Sequence, residues 1–165
     1  MIESLGPFVR PMRPGDAAEV VGMARELAAA VGDPEPRLVE SDIIRDGFGP
    51  EQWFDCLVAE LARRLVGYAL LCKGFEAHTA KKRLWIGDLY VRPAARRRGT
   101  GRALVAAAAR HGRQFGCDAL YWDLWRSNSA GEAFYRGLGA EEATALAVMR
   151  LGKDRLAAIA ADPEH

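Results

Sequence analysis

The sequence predicts a mixed α/β domain with a central, largely antiparallel sheet flanked by helices, and three observations carry that expectation. Three strand-like runs, CLVAE from Cys56, LVGYALLCKGF from Leu65 and RLWIGDLYV from Arg83, follow one another closely and predict an antiparallel meander. An alanine-rich helical pattern from Thr100 to about Phe115 comes next and is stopped by Gly116. The run ALYWDLW and a helical segment near Asn128 to Leu138 then continue in strand and helix order.

The remaining elements fit around this centre. Phe8 to Met12 reads as a short extended run, and Pro14-Gly15-Asp16 as a turn whose aspartate caps a helix reaching about Ala30. Val20, Val21, Ala24, Leu27, Ala28 and Val31 recur there at helical spacing. The prolines of VGDPEPRLVE mark a loop, after which Ser41 is placed to cap a short helix ending near Asp46-Gly47. A last strand is expected around Ala145 to Leu151, followed by a short amphipathic helix in KDRLAAIA. No repeat or linker divides the chain, so one domain over residues 1–165 is the expectation.

Composition excludes several classes of function. Lys and Arg number 23 against 22 Asp and Glu, so the formal charge of +1 gives no general attraction to nucleic acid or to an anionic membrane. Cys56, Cys72 and Cys117 are odd in number, widely spaced and without metal-ligand spacing; they read as reduced thiols, with no metal expected. MIESLGPFVR lacks the apolar core of a signal peptide and no run approaches 18 apolar residues, which favours a cytoplasmic location.

Local charge is another matter. Between the run ending LYV and the alanine-rich helix stands Arg96-Arg97-Arg98-Gly99-Thr100-Gly101. A turn entering a helix presents unpaired N–H groups and the positive end of the helix dipole, which favour an anion; the glycines allow close approach, and arginines pair well with phosphates. The P-loop pattern is absent, and a dinucleotide fingerprint would need a glycine at Leu104. Taken alone, the segment fits an ordinary solvated turn equally well. A second segment, LWRSNSAGEAFYRGLGA, places Asn128 seven residues before Tyr135, two helical turns apart on one face.

Together, the RxxGxG loop after LYV and this N-x6-Y-x3-G segment resemble the GNAT superfamily of acyl-CoA N-acyltransferases. The likeness extends across nearly the whole chain to the diamine, or spermidine/spermine, N-acetyltransferase branch. RPMRPGDAAEV, DGFG at Asp46 to Gly49, CLVAE, the loop, AFYRGLGA and the closing MRLGKDRL carry it. The resemblance implies a GNAT-type sheet, acetyl-CoA as cosubstrate, a small-molecule amine acceptor and a homodimer. By position, Leu89, Tyr90 and Val91 would contact the acetyl-pantetheine arm, and Arg97, Arg98, Gly99, Thr100, Gly101 and Arg102 would wrap the pyrophosphate, with Arg96 at the rim. Asn128, Ser129, Ala130 and Gly131 would meet the cofactor further along, and Tyr135 would lie near its sulfur.

The chemistry assigns roles. An amine with a pKa of about 10 must lose a proton before it attacks a thioester, and Asp88, a charged group inside a strand, is the leading acceptor of that proton or anchor for the cation. A structural hydrogen-bond network is the other reading of Asp88. The departing sulfur gains negative charge, which a phenol such as Tyr135 can meet with a proton; the other reading of Tyr135 is helix packing. Tyr121, Trp122 and Trp125 read as core by residue type, whereas the resemblance sets Tyr121, Trp122 and Asp123 at the border of the acceptor, so Trp122 and Asp123 are candidate substrate contacts.

Departures from the branch bear on the acceptor. Gly87, Ala30, Val31 and Ala147 replace residues that include three acids, and Met149 replaces a tryptophan, so a long polycation would bind less well. A smaller or less charged primary amine, such as an amino-acid derivative of the thialysine kind, is expected. Peptide N-acetylation and a non-catalytic acyl-CoA-binding module are the alternatives.

Overall fold

Alternating apolar residues build the meander that the sequence predicts. Strand β1 (Phe8–Pro11) pairs antiparallel with β2 (Asp55–Leu61), β2 with β3 (Arg64–Glu76), and β3 with β4 (Lys81–Val91). Ala62 and Arg63, with φ of 49° and 62°, make the two-residue turn between β2 and β3, the left-handed geometry that matches strand twist. Helices α1 (Ala17–Val31) and α2 (Glu40–Phe48) lie in sequence between β1 and β2. After β4 comes α3 (Thr100–Gln114), which leads to β5 (Cys117–Trp122), parallel to β4 at the sheet edge. The computed structural model describes residues 6–33 and 37–161, in two compact units, Met1–Trp125 and Arg126–His165; the sheet belongs wholly to the first.

Each face of the sheet has its own core. Val20, Val21 and Met23 of α1 and Ile43 of α2 pack with Cys56, Val58, Tyr68 and Tyr90 on one face. Leu104 and Ala108 of α3 pack with Leu57, Ala69, Leu71, Leu84 and Ile86 on the other. The two sets show the parity change in β4, because Leu84 and Ile86 face α3 whereas Tyr90 faces α1. Even-numbered residues of a regular strand share one face, so one residue must be extra. Leu71 pairs with Ile86 and Leu70 with Asp88, leaving Gly87 as a β-bulge.

Several local expectations need correction. Asp16 stands at the start of α1 but its carboxylate makes no cap there; it accepts from the Arg13 N–H at 2.7 Å and from Arg10 instead. Ser41 does not cap α2, since Val39 holds that position and the Asp42 carboxylate accepts the Val39 N–H at 3.2 Å. β5 stops at Trp122 rather than running to Trp125. Pro34 and Pro36 of the expected loop, and part of MIESLGPFVR, fall outside the described residues.

The second unit contains α4 (Ser129–Arg136) and α5 (Lys153–Ala160), the latter as expected. The expected strand around residues 145–151 is not formed, and Leu146, Val148, Met149 and Leu151 are exposed. Alternation alone does not make a strand; the backbone needs an edge to pair with, and this unit has no strand among its described residues.

Arg10 joins β1 to its surroundings. Its guanidinium donates to Asp16 at 2.6 and 3.0 Å and to Glu60 on β2 at 2.7 Å, with Arg10 and Asp16 side chains only 13% and 14% exposed. The hydrogen bond to Arg10 lowers the Asp16 pKa below its ordinary value, so this stabilisation is present above the unfolded carboxylate range and is lost as pH falls through the depressed value. Arg10→Ala should cost about 2 kcal/mol in urea unfolding at neutral pH, with the difference narrowing on acidification.

Candidate active site

The bulge at Gly87 turns Asp88 toward the face covered by α1 and α2. There the hydroxyl of Tyr68, on β3, donates to Asp88 Oδ2 at 3.0 Å. Asp88 makes no ion pair or other hydrogen bond among the described residues. Burial pushes its carboxyl above the ordinary carboxylate range, against the opposing pull of the Tyr68 hydroxyl. Tyr68 is itself buried, and burial followed by the charge of Asp88 holds its phenol above its ordinary value, so it remains a donor. The neighbouring Cys56 thiol is pushed up to about 12, chiefly by burial, and is inert at neutral pH.

Past Gly87, β4 changes its neighbours. The last pair between β4 and β5 joins Ile86 to Trp122, and β4 continues to Val91 without a strand on that edge. Trp122 and Asp123 therefore stand where β5 leaves β4; Trp122 packs partly against the α3-side core and Asp123 is exposed. Side chains of Leu89 and Val91 turn toward the α3-side core, and Tyr90 toward α1, where its hydroxyl donates to Glu26 Oε2 at 3.0 Å. What Leu89 to Val91 offer a ligand is their backbone edge.

Arg92 fixes the end of this strand. Its Nε donates to Glu26 at 3.1 Å, and its Nη1 donates to Glu19 at 3.1 Å and to the Leu65 carbonyl at 3.0 Å, tying α1 to β3 and β4. The following loop is held internally: Arg96 Nε donates to the Val91 carbonyl at 2.8 Å, and the buried Thr100 hydroxyl donates to the Ala95 carbonyl at 3.0 Å. Gly99, with φ 80°, begins α3 without any side-chain cap. Ala103 makes the first helical bond, to Gly99, so the N–H groups of Gly99, Thr100, Gly101 and Arg102 have no acceptor within the helix. Arg97, Arg98 and Arg102 are exposed around them and make no ion pair among the described residues. The arrangement suits a phosphate-bearing ligand whose extended arm runs along β4.

The second unit carries the rest of the predicted set. Asn128 is the N-cap of α4, its Oδ1 accepting the Gly131 N–H at 2.9 Å. A Cβ on Gly131 would stand 2.5 Å from Asn128 Nδ2, so the cap requires glycine there. Ser129 and Ala130 are exposed on the first turn. Tyr135 is half-buried near the end of α4, beside Phe134 with ring centroids 5.0 Å apart, and burial raises its phenol pKa, keeping it protonated.

Three contributors escaped the sequence reading: Tyr68, Glu26 and Arg92. A glycine before an aspartate in a strand run is a bulge signal that could have predicted the turn of Asp88. Nothing local to YALLC distinguishes Tyr68 from a core tyrosine.

Comparison with known proteins places these features in context. A model of the acetyltransferase (GNAT) family matches residues 19–140. Among curated proteins, the thialysine N-epsilon-acetyltransferase of Sus scrofa is 28% identical over 146 residues, covering 83% of this chain and 85% of that protein. Among solved structures, an integron cassette protein from the mobile metagenome of V. cholerae superposes with a TM-score of 0.81 at 20% identity, covering 96% and 99% of the two chains. An aminoglycoside N-acetyltransferase solved in complex with CoA gives 0.68 at 19% identity, covering 88% and 98%.

Asp88 carries a stability cost with a definite sign. Between its unfolded and raised folded pKa values the native state holds a proton that the unfolded state has lost, so stability falls as pH rises through that window. Asp88→Asn, which keeps an acceptor for Tyr68, should raise the Tm at pH 7. That gain should shrink as pH falls toward the ordinary carboxylate range, measured by thermal unfolding across pH.

Proposed function

Since this chain belongs to the acetyltransferase (GNAT) family, we propose that it moves an acetyl group from acetyl-CoA directly to a primary amine of a small molecule. The observation that carries this reading is the free edge of β4, with Asp88 at its start and the uncapped N-terminus of α3 at its end. The donor set there fits the cosubstrate: main-chain groups along Leu89 to Val91 for the pantetheine arm, and helix N–H groups with Arg97, Arg98 and Arg102 for the pyrophosphate. Bound there, acetyl-CoA supplies the acetyl group as a thioester.

The remaining chemistry belongs to the protein. Asp88 anchors the incoming ammonium and takes its proton, and a β4 N–H polarises the acetyl carbonyl. The Tyr135 hydroxyl, kept protonated by burial, donates to the departing sulfur, with Asn128 to Gly131 as the further contact along the cosubstrate. Trp122 and Asp123 border the acceptor.

Charge points to a short acceptor. Glu19 and Glu26 face Arg92, and Asp16 and Glu60 face Arg10, so those acids are already neutralised whereas Asp88 faces no cation among the described residues. One ammonium suits such a site better than a polycation. The thialysine activity named for the Sus scrofa relative fits this class. Residues 1–165 acting as a single domain, a homodimer and a cytoplasmic setting complete the proposal; three free cysteines accord with the last.

Thiol release from acetyl-CoA, measured with thialysine, ornithine, spermidine, spermine and short peptides, tests the reading. Thialysine or ornithine should turn over faster than spermine, and Tyr135→Phe should lower kcat about tenfold. Turnover of peptides alone, or cosubstrate binding without turnover of any amine, would sink it.

A further inference from the structure

We propose that Tyr68 is a positioning residue for the proton transfer: its hydroxyl anchors Asp88 Oδ2 so that Oδ1 is presented, ionised, to the acceptor amine. This inference rests on the proposed role of Asp88. A buried phenol needs an acceptor, and Tyr68, 1% exposed, finds one in Asp88 at 3.0 Å. The contact spans 20 residues of sequence and depends on the bulge, since without the extra residue Gly87 the carboxylate would lie on the other face of the sheet from Tyr68. Tyr68 is the cross-strand partner of Tyr90, whose own hydroxyl is committed to Glu26 on α1. The two phenols therefore serve different carboxylates, and Tyr68 is held from both sides by the core of α1 and α2.

The anchored oxygen answers a specific difficulty. Asp88 is a half-buried carboxylate with no cationic neighbour among the described residues, so its charged form needs a donor other than water. Tyr68 supplies one without surrendering its own proton, because its phenol is held well above its ordinary range. During transfer an N–H bond of the ammonium breaks and an O–H bond forms at Asp88 Oδ1. The neutral amine forms the C–N bond to the acetyl carbon as the C–S bond breaks. The sulfur leaves as the thiol by taking the proton of the Tyr135 hydroxyl, the acylated nitrogen gives up its second proton, which restores that hydroxyl, and Asp88 returns its own to solvent.

Tyr68→Phe removes one oxygen and leaves the packing surface. With acetyl-CoA and thialysine, or the panel amine that turns over fastest, the acid limb of the kcat/KM profile should move to higher pH. The loss should be about tenfold at pH 7 and should recover on raising the pH, while KM for acetyl-CoA stays unchanged. On an Asp88→Asn background, Tyr68→Phe should add nothing further. A second readout does not need the variant to fold: in the wild-type protein the Tyr68 ring carbon beside the hydroxyl should titrate, by NMR, with the same apparent pKa as the acid limb.

Outcomes separate the two claims. A Tyr68→Phe enzyme with the wild-type acid limb, or a Tyr68 signal that ignores that limb, overturns the Tyr68 inference while an inactive Asp88→Asn leaves the base role standing. An Asp88→Asn enzyme with the wild-type pH profile, or no amine turnover at all, removes the base role and the Tyr68 inference together.

Discussion

One inserted residue sets the arrangement of the first unit. Gly87 gives β4 one more residue than β3 opposes, and every side chain after it changes face. Before the bulge, Leu84 and Ile86 fill the core beneath α3; after it, Asp88 and Tyr90 turn to α1, while Leu89 and Val91 take over toward α3. In a regular strand Asp88 would share a face with Ile86 in a packed apolar layer, where a carboxylate without a donor is costly. The same position is where pairing with β5 ends. A free strand edge and a reoriented acid thus arise at one point in the chain.

Arginine pairs hold the walls of that point. Arg92 binds Glu19 and Glu26 and so ties α1 to the end of β4; Arg10 binds Asp16 and Glu60 and ties the turn before α1 to β2. Single exposed pairs contribute little, but two partly buried clusters, one on α1 and one on the turn that leads into it, fix the helix against the sheet. They also use up negative charge. A site with a row of acids would hold a polyamine, whereas here the neighbouring acids are engaged, which is what supports the proposal of an acceptor with a single ammonium.

The meander, the central helix and the basic loop were legible in the sequence because each has a strong local cause: period-two alternation, an alanine-rich helical face, and glycines where a helix begins without a side-chain cap. Asp88 was legible as a charged residue inside a strand. What it touches was not, since the contact with Tyr68 depends on strand register and on a bulge, neither of which is local. The expected strand around residues 145–151 failed for a related reason: its apolar run is present, but pairing requires a partner strand, and the second unit contains none among its described residues. Asn128 has a local task that the sequence reading did not assign: its side chain caps α4, which also accounts for Gly131.

The site also explains why its acid can be unstable and useful at once. An aspartate paired with arginine, as Asp16 is, has its proton held off so firmly that it is a poor base. Asp88 has no such partner among the described residues, and burial raises its pKa, the direction that the proposed proton transfer asks of a base. A donor that is neutral and well above its own titration range can orient this carboxylate while lowering its basicity less than a cation would. On the proposed mechanism, the free energy lost by burying Asp88 beside a phenol rather than an arginine is the same feature that would fit it for proton transfer, and stabilising that position would work against the chemistry.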